Sequence, residues 1–282
     1  MRAEWLLCAA MIELCGHRVG PGQPLFAIVG PDVIESEDMV HRLAVQLTSI
    51  CRRLNTPFAL KCSFDKANRT SGQSFRGPGL AEGLAILRRI KEQTGVSLVT
   101  DVHEVAQVGP VSEIADVLQI PAFLCRQTDL IQSAARAGRA INIKKGQFVS
   151  PKDIIHSARK AFDMGNPNVL VTERGASFGY NNLVVDMRGF LWMRQAGLSV
   201  CFDATHSVQL PSAAGGETSG ERQFVGLLAR AAAASGIDAL FAEVHEDPDR
   251  ALCDGPCALT PEAFEQVLGE VLAVRRALHH QA

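Results

Sequence analysis

Side chains suited to catalysis recur along this chain in the clusters PDVIES, KCSFDKANR, DVHE, PAFLCRQTD, KKGQ, ERGASFGY, DATHS and EVHED. Three kinds of chemistry are available in them. Lys61, Lys66, Asn68, Arg69, Thr70 and Ser71 crowd cations, an amide and hydroxyls into one stretch. That donor set suits a phosphate or carboxylate, and arginine adds a planar fork; a solvated charged loop uses the same residues. Lys144-Lys145-Gly146-Gln147 and Glu173-Arg174 form a second cationic region. In a strand, one of two adjacent lysines faces inward. An inward lysine beside an inward arginine calls for an anionic ligand, because an unpaired buried charge is costly. A structural salt bridge explains one such residue better than several. Asp32, His206, Glu243 and Asp254 add one imidazole and three carboxylates, the mixed N/O donor set of a divalent metal. Without a cation those carboxylates repel and take up protons. Asp101-Val102-His103-Glu104 stays open between binding hydroxyls, tuning protonation and capping a helix.

Each cluster follows an apolar run of strand length: Leu25–Gly30, Phe58–Leu60, Ser97–Thr100, Val117–Ile120, Ala140–Ile143, Val169–Thr172, Leu198–Phe202 and Ala239–Ala242. Apolar residues at helical spacing predict helices over Glu37–Leu54, Leu80–Thr94, Val105–Ala115, Asp129–Ala137, Pro151–Met164, Leu183–Gln195, Glu221–Ser235 and Pro261–His279. Gly95 reads as a helix stop, and Ser150-Pro151 and Thr260-Pro261 as N-caps followed by proline. Eight strand-then-helix units predict a single (β/α)₈ TIM barrel, a fold that places its chemistry where the strands end. Barrel closure makes the eighth strand a neighbour of the first, which brings Glu243 and Asp254 towards Asp32. Ile12–Val19, followed by Gly-Pro-Gly, predicts a short hairpin capping the bottom. Residues 1–22 are expected to be extension and hairpin, and 23–282 the catalytic barrel. The connections 61–79 and 205–220 follow strands and are long, which favours function.

The 282 residues are within the range of one α/β barrel, and 47% apolar content suits a large core. A net charge of −2 leaves no basic footprint for nucleic acid. The eight cysteines form no CxxC pair, so reduced cytoplasmic thiols are expected. The start MRAEWLLCAAMIEL lacks the basic region and length of a signal peptide, and Met11 is a second plausible start. No stretch approaches a membrane span.

The segments FALKCSFDKANRTSGQSFRGPG, TDVHE, PAFLCRQTDL, NIKKGQF, ERGASFGYNNLVVDM, FDATHSVQLP and CDGP resemble, in order, the 3-deoxy-D-manno-octulosonate 8-phosphate synthases. The resemblance runs from about Cys15 to the last helix, and SFDKANR with RGPG is its most specific part. It implies condensation of phosphoenolpyruvate with D-arabinose 5-phosphate and water, releasing phosphate, for the lipopolysaccharide inner core. It implies that Arg174 and Lys144 hold the phosphoenolpyruvate phosphate and that Lys61 and Lys66 contact its carboxylate side. Asn68, Arg69 and Ser71 or Thr70 would hold the arabinose phosphate, with Gln147 also binding substrate. Arg126 would reach a neighbouring subunit's site in a homotetramer. His206, Lys61, Asp101 and Asp254 would stand at the reacting centre, with His206 able to shuttle protons near neutrality.

The chain departs from that family at Asp32. Metal-dependent members have Gly-Pro-Cys there and metal-independent members have asparagine, whereas this chain reads Gly30-Pro31-Asp32. The metal set would be Asp32, His206, Glu243 and Asp254, holding Mn, Mg, Fe or Zn. A hard oxygen donor moves the preference towards Mn²⁺ or Mg²⁺. Alternatively the site is metal-free and Asp32 only hydrogen-bonds. A second departure is Thr218-Ser-Gly-Glu-Arg222, which puts Glu221 beside the long seventh loop. Three other functions compete: a sister synthase using erythrose 4-phosphate, a phosphosugar-binding barrel without turnover, and a Schiff-base aldolase.

Overall fold

The computed structural model describes residues 11–69, 71–214 and 217–279, with side chains omitted at 212–214, 217, 218 and 279. Eight parallel strands close into a barrel: β3 (Phe26–Gly30), β4 (Phe58–Lys61), β5 (Leu98–Asp101), β6 (Val117–Ile120), β7 (Ala140–Lys144), β8 (Val169–Glu173), β11 (Ser199–Asp203) and β14 (Ala239–Glu243). Each is followed by one helix: α1 (Glu37–Arg53), α2 (Leu80–Thr94), α3 (Val105–Ser112), α4 (Thr128–Arg136), α5 (Ile154–Phe162), α6 (Arg188–Gln195), α7 (Val225–Ala234) and α8 (Pro261–His279). The expected (β/α)₈ barrel is therefore the fold.

The period-two alternation of the strands divides the apolar side chains into two cores. Leu60, Leu98, Leu118, Ile141, Val171, Val200 and Leu240 face outward and pack with the helices. Phe26, Ile28, Ala59, Val99, Val117, Leu170, Cys201 and Phe241 fill the interior. The hairpin of β1 (Ile12–Leu14) and β2 (His17–Val19) packs Ile12, Leu14 and Val19 into that inner core, closing the bottom as expected. Both cores are apolar at the bottom of the strands, so the polar inward residues collect at the top.

Local signals place most helix ends. Ser36 accepts the amide of Met39 at 3.2 Å, and α1 carries acids in its first turn and arginines in its last. Gly95, with φ of 69°, terminates α2 as expected. Thr260 Oγ1 accepts the Ala263 amide at 3.2 Å, confirming that cap. Four helices are shorter than expected. Ser150 closes a turn on Asp153, so α5 begins at Ile154 rather than Pro151. Leu183 and Val184 form β10 and pair with β9 (Ala176–Ser177), which delays α6 to Arg188. A 3₁₀ turn over Arg222–Phe224 precedes α7, and α3 stops at Ser112, two residues after Pro110. The long seventh connection is an antiparallel hairpin of β12 (Gln209–Ala214) and β13 (Glu217–Gly220).

Every cysteine among the described residues is a free thiol. Among them, no helix is long and apolar enough to cross a membrane.

Candidate active site

The inward positions at the strand tops are Gly30, Lys61, Asp101, Gln119, Asn142, Lys144, Thr172, Asp203 and Glu243. Six strands run one residue beyond their apolar stretch, so Lys61, Asp101, Lys144, Glu173, Asp203 and Glu243 belong to strands and not to loops. Strand placement gives them rigid, alternating directions. Gly30 lets β3 approach β4 here, because a Cβ at that position would run into the Lys61 carbonyl. The side chains line a cleft of about 280 Å³ that contains Lys61, Lys66, Asn68, Arg69, Asp101, Lys144, Gln147, Arg174, His206, Glu243 and Asp254.

The predicted metal set converges. Each of Asp32, His206, Glu243 and Asp254 offers one ligand atom, and these lie within 4.8 Å of one another. His206 Nε2 faces Glu243 Oε1 at 3.1 Å and Asp254 Oδ2 at 3.7 Å. Its Nδ1 lies 2.7 Å from Asp203 Oδ2, an outer carboxylate that orients the ring. Both oxygens of Asp32 and both of Glu243 are buried without a well-aligned hydrogen bond. Clustered carboxylate oxygens held by charge pairing around an oriented imidazole fit a divalent cation.

The electrostatics of the ligand-free cluster follow from burial and pairing. Burial raises Glu243, the Asp32 charge adds to it, and its pKa is pushed up to about 8. Burial opposes charge on His206, but Asp203 and Glu243 outweigh it and raise the imidazole to about 9. The surrounding carboxylates thus favour the charged imidazole in the ligand-free cluster. Lys66 forms an ion pair with Asp32.

Two cationic regions open on the cleft. Lys144 pairs with Asp203, lies 3.2 Å from His206 Nδ1 and sits 3.8 Å above the Phe241 ring. Arg174 Nη2 donates to Gln209 Oε1 at 2.5 Å, while its Nη1 is buried with no hydrogen-bond partner among the described residues. That open donor is what an anion would satisfy. Lys145 points away, as alternation requires, and pairs with Glu173 at 3.2 Å behind the barrel. On the other side Arg69 contacts Cys253, and Asn68 lines the same cleft. Lys61 Nζ donates to Ser63 Oγ at 2.7 Å and lies 3.1 Å from Asp101 Oδ2. Asp101 is thus a buried partner of Lys61, while His103 stacks edge-on against Phe64 and also lines the cleft. Glu104 precedes α3 without a side-chain capping bond.

Two expected substrate residues are not brought to the cleft. Ser71 is exposed and bonds the Gln73 amide, and Ser74 lines the cleft instead. Arg126 is exposed outside the lining. Thr70 lies outside the described residues. Glu221 borders a separate shallow groove with Phe224 and Leu227. Asp203, Gln119, Ser63, Gln209 and Cys253 take part in or border the site but were not expected. Counting every second residue along an extended seventh strand would have found Asp203.

Comparison with known proteins agrees with this geometry. The DAHP synthetase I family matches residues 10–278. The 2-dehydro-3-deoxyphosphooctonate aldolase of Desulfatibacillum aliphaticivorans is 55% identical over 92% of this chain and 95% of its own. That of Geotalea daltonii is 54% identical over 93% and 97%, and that of Acidithiobacillus ferrooxidans 55% over 91% and 92%. With a barrel whose polar rim gathers two cationic regions around a metal-competent cluster, the chain belongs to the DAHP synthetase I family, among its 2-dehydro-3-deoxyphosphooctonate aldolases.

Proposed function

We propose that this chain condenses phosphoenolpyruvate with D-arabinose 5-phosphate and water, forming 3-deoxy-D-manno-octulosonate 8-phosphate and releasing phosphate. The observation that carries the reading is the buried Nη1 of Arg174, without a hydrogen-bond partner among the described residues, in a cleft that also holds Lys144 and the Asn68–Arg69 loop. Two phosphorylated substrates need two cationic ends, and this cleft has both.

Arg174 and Lys144 hold the phosphate of phosphoenolpyruvate, and Lys61 and Lys66 its carboxylate. Gln147 adds a polar contact. Asn68 and Arg69 hold the arabinose phosphate, with Thr70 and Ser71 next to them in the chain. The two ends fix the substrates so that C3 of phosphoenolpyruvate faces the aldehyde carbon, which removes much of the entropic cost of the encounter. The new bond joins those carbons. Water adds its hydroxyl to C2, the C2–O bond to phosphate breaks, and phosphate leaves. The aldehyde oxygen gains one proton of the water, and the C2 hydroxyl gives the other to the departing phosphate as the C2 carbonyl forms. Lys61, fixed by Asp101, presents N–H donors where charge develops. The Asp254 carboxylate is placed to accept the proton of water.

Asp32, His206, Glu243 and Asp254 would hold the divalent cation. Bound there, Mn²⁺, Mg²⁺, Fe²⁺ or Zn²⁺ supplies Lewis-acid charge, and three oxygen donors favour the harder Mn²⁺ or Mg²⁺. The chain acts in the cytoplasm, supplying the lipopolysaccharide inner core. Arg126 and the exposed Phe123, Phe148, Phe178 and Tyr180 follow adjacent strands β6, β7 and β8. An exposed aromatic set of this kind supports a homotetramer in which Arg126 reaches a neighbour.

Phosphate release tests the reading. It should occur with phosphoenolpyruvate plus arabinose 5-phosphate and not with erythrose 4-phosphate. Turnover with erythrose 4-phosphate alone would make the chain a sister synthase. Phosphoenolpyruvate binding without release would make it a non-catalytic barrel.

A further inference from the structure

We propose that Thr172, Asn142 and Gln119 form a one-way hydrogen-bond relay ending on Asp101, and that Asn142 and Thr172 thereby position the phosphoenolpyruvate end of the cleft without touching it. The inference rests on the reading of Lys61 as a group at the phosphoenolpyruvate carboxylate.

The relay crosses four neighbouring strands, β8 to β5, and ends beside Lys61 on β4. Thr172 Oγ1 donates to Asn142 Oδ1 at 2.6 Å, and Asn142 Nδ2 donates to Gln119 Oε1 at 2.9 Å. Gln119 Nε2 then donates to Asp101 Oδ1 at 2.5 Å. The other Asp101 oxygen accepts from Ser63 and lies 3.1 Å from Lys61 Nζ. Asp101, Gln119 and Asn142 are direct register partners on β5, β6 and β7. Asn142 and Thr172 are completely buried and lie outside the cleft lining, whereas Gln119, Asp101 and Lys61 line it.

Asp101 sets the direction of the whole chain. An ionised carboxylate only accepts, so Gln119 must present its amino group. Its carbonyl then faces Asn142, which must present its own amino group. The Asn142 carbonyl is left for a donor, which Thr172 supplies. Reversing both amides would satisfy the inner links but set the Gln119 oxygen against an Asp101 oxygen. Asn142 and Thr172 are buried away from water, and an unmade buried bond is costly. The Thr172 hydroxyl therefore pins two amides, and through them the orientation of the Lys61–Asp101 pair.

The experiment compares Thr172→Val, which keeps the shape and removes the hydroxyl, with Thr172→Ser, which keeps the hydroxyl and removes the methyl. Calorimetry gives the phosphoenolpyruvate Kd, and steady-state kinetics gives KM for each substrate. Thr172→Val should raise Kd and KM for phosphoenolpyruvate by up to about tenfold, the upper end for one lost hydrogen bond between neutral groups. KM for arabinose 5-phosphate should stay within about twofold, and Thr172→Ser should retain near-native phosphoenolpyruvate binding. If Thr172→Val does not fold, Thr172→Ala against Thr172→Ser isolates the same oxygen atom. Native phosphoenolpyruvate binding in Thr172→Val, or equal losses in Thr172→Val and Thr172→Ser, would overturn the relay alone. A wild-type chain that binds no phosphoenolpyruvate would overturn the functional reading and the relay with it.

Discussion

Lys66 Nζ is paired with Asp32 Oδ1 where the loop after β4 folds over the end of β3. Burial by itself would raise Asp32, but the Lys66 ammonium overrides it and holds the carboxyl well below its usual range. The same pairing raises Lys66 well above its usual value against its own burial. One carboxylate thus stands between two roles: it is a candidate metal ligand and the partner of a lysine that lines the cleft. This pairing also gives the metal-free alternative a physical basis, since Lys66 can supply the compensating charge.

A cation bound at Asp32 would compete with that ammonium for the carboxylate's charge. Lys66→Met should therefore bind Mn²⁺ more tightly than the wild type, by about tenfold for a lost competing charge in a partly buried site. Equilibrium dialysis reads this without turnover, and equal affinities would show that no competition exists. Asp32→Cys should move selectivity towards Zn²⁺, because thiolate is the softer donor. An unchanged Zn²⁺ to Mn²⁺ ratio would remove Asp32 from the ligand set.

The Asp101–Lys61 pair sets a pH dependence of stability. Burial opposes the Asp101 charge, but Lys61, then Lys66 and His103, outweigh it and depress the pKa far below the ordinary carboxylate value. A depressed folded pKa contributes stability above the unfolded value, near 3.9, that is lost as pH falls towards the folded one. Asp101→Asn should cost about 3 kcal/mol at pH 7, since it leaves Lys61 buried without its counter-charge. The Tm difference from wild type should be constant from pH 7 to pH 5 and shrink below pH 4. A difference that does not vary with pH would mean that the ion pair is not its source.

The sequence shows the fold clearly because strand-length apolar runs and helical spacing both report burial. Strand ends are harder to read. Lys61, Asp101 and Asp203 are polar, so composition assigns them to loops, while the backbone ladder carries each strand one residue further. Leu183 and Val184 resemble the start of a helix until their pairing with Ala176 and Ser177 is known. The cationic stretches are legible because charge clusters locally in the chain, and the candidate metal set because its members follow strands that barrel closure makes neighbours. The relay is not legible: Gln119, Asn142 and Thr172 are neutral residues at single inward positions on separate strands. Only the register of a closed barrel aligns them. Ser71 is the opposite case, a residue of suitable chemistry in the right stretch whose loop turns it outward.

Behind the barrel, Lys145 holds the frame on which Arg174 and Gln147 stand. Its Nζ donates to the carbonyls of Val149, Gly175 and Gly146 at 3.0, 3.2 and 3.3 Å and pairs with Glu173. Glu173 Oε1 in turn accepts the amides of Arg174 and Gly175 at 2.9 and 2.7 Å. Lys145→Met removes one partner of a buried pair and should destabilise the fold by about 3–5 kcal/mol. Because both tethered loops carry phosphate-side residues, the KM for phosphoenolpyruvate should also rise. A variant with lowered Tm and native KM would separate the frame from binding.

Gly220 and Cys257 provide a test of the seventh loop. Gly220 ends β13, and a Cβ built there would overlap the Cys257 Sγ atom. Cys257 is buried beneath the hairpin, so its sulfur cannot move to solvent. Gly220→Ala should cost about 1–3 kcal/mol through overpacking. In a Cys257→Ala background the obstructing sulfur is gone, and the same substitution should cost less than about 1 kcal/mol. The four-variant cycle, read as Tm with denaturant midpoints, isolates the contact from the separate cost of losing the thiol. Additive costs would show that the hairpin shifts away from Cys257 freely, and that glycine is not required there by this neighbour. Non-additive costs would tie β13, which carries the unusual Glu221 at its end, to the loop that carries Asp254. The hairpin could not then move without disturbing a candidate metal ligand.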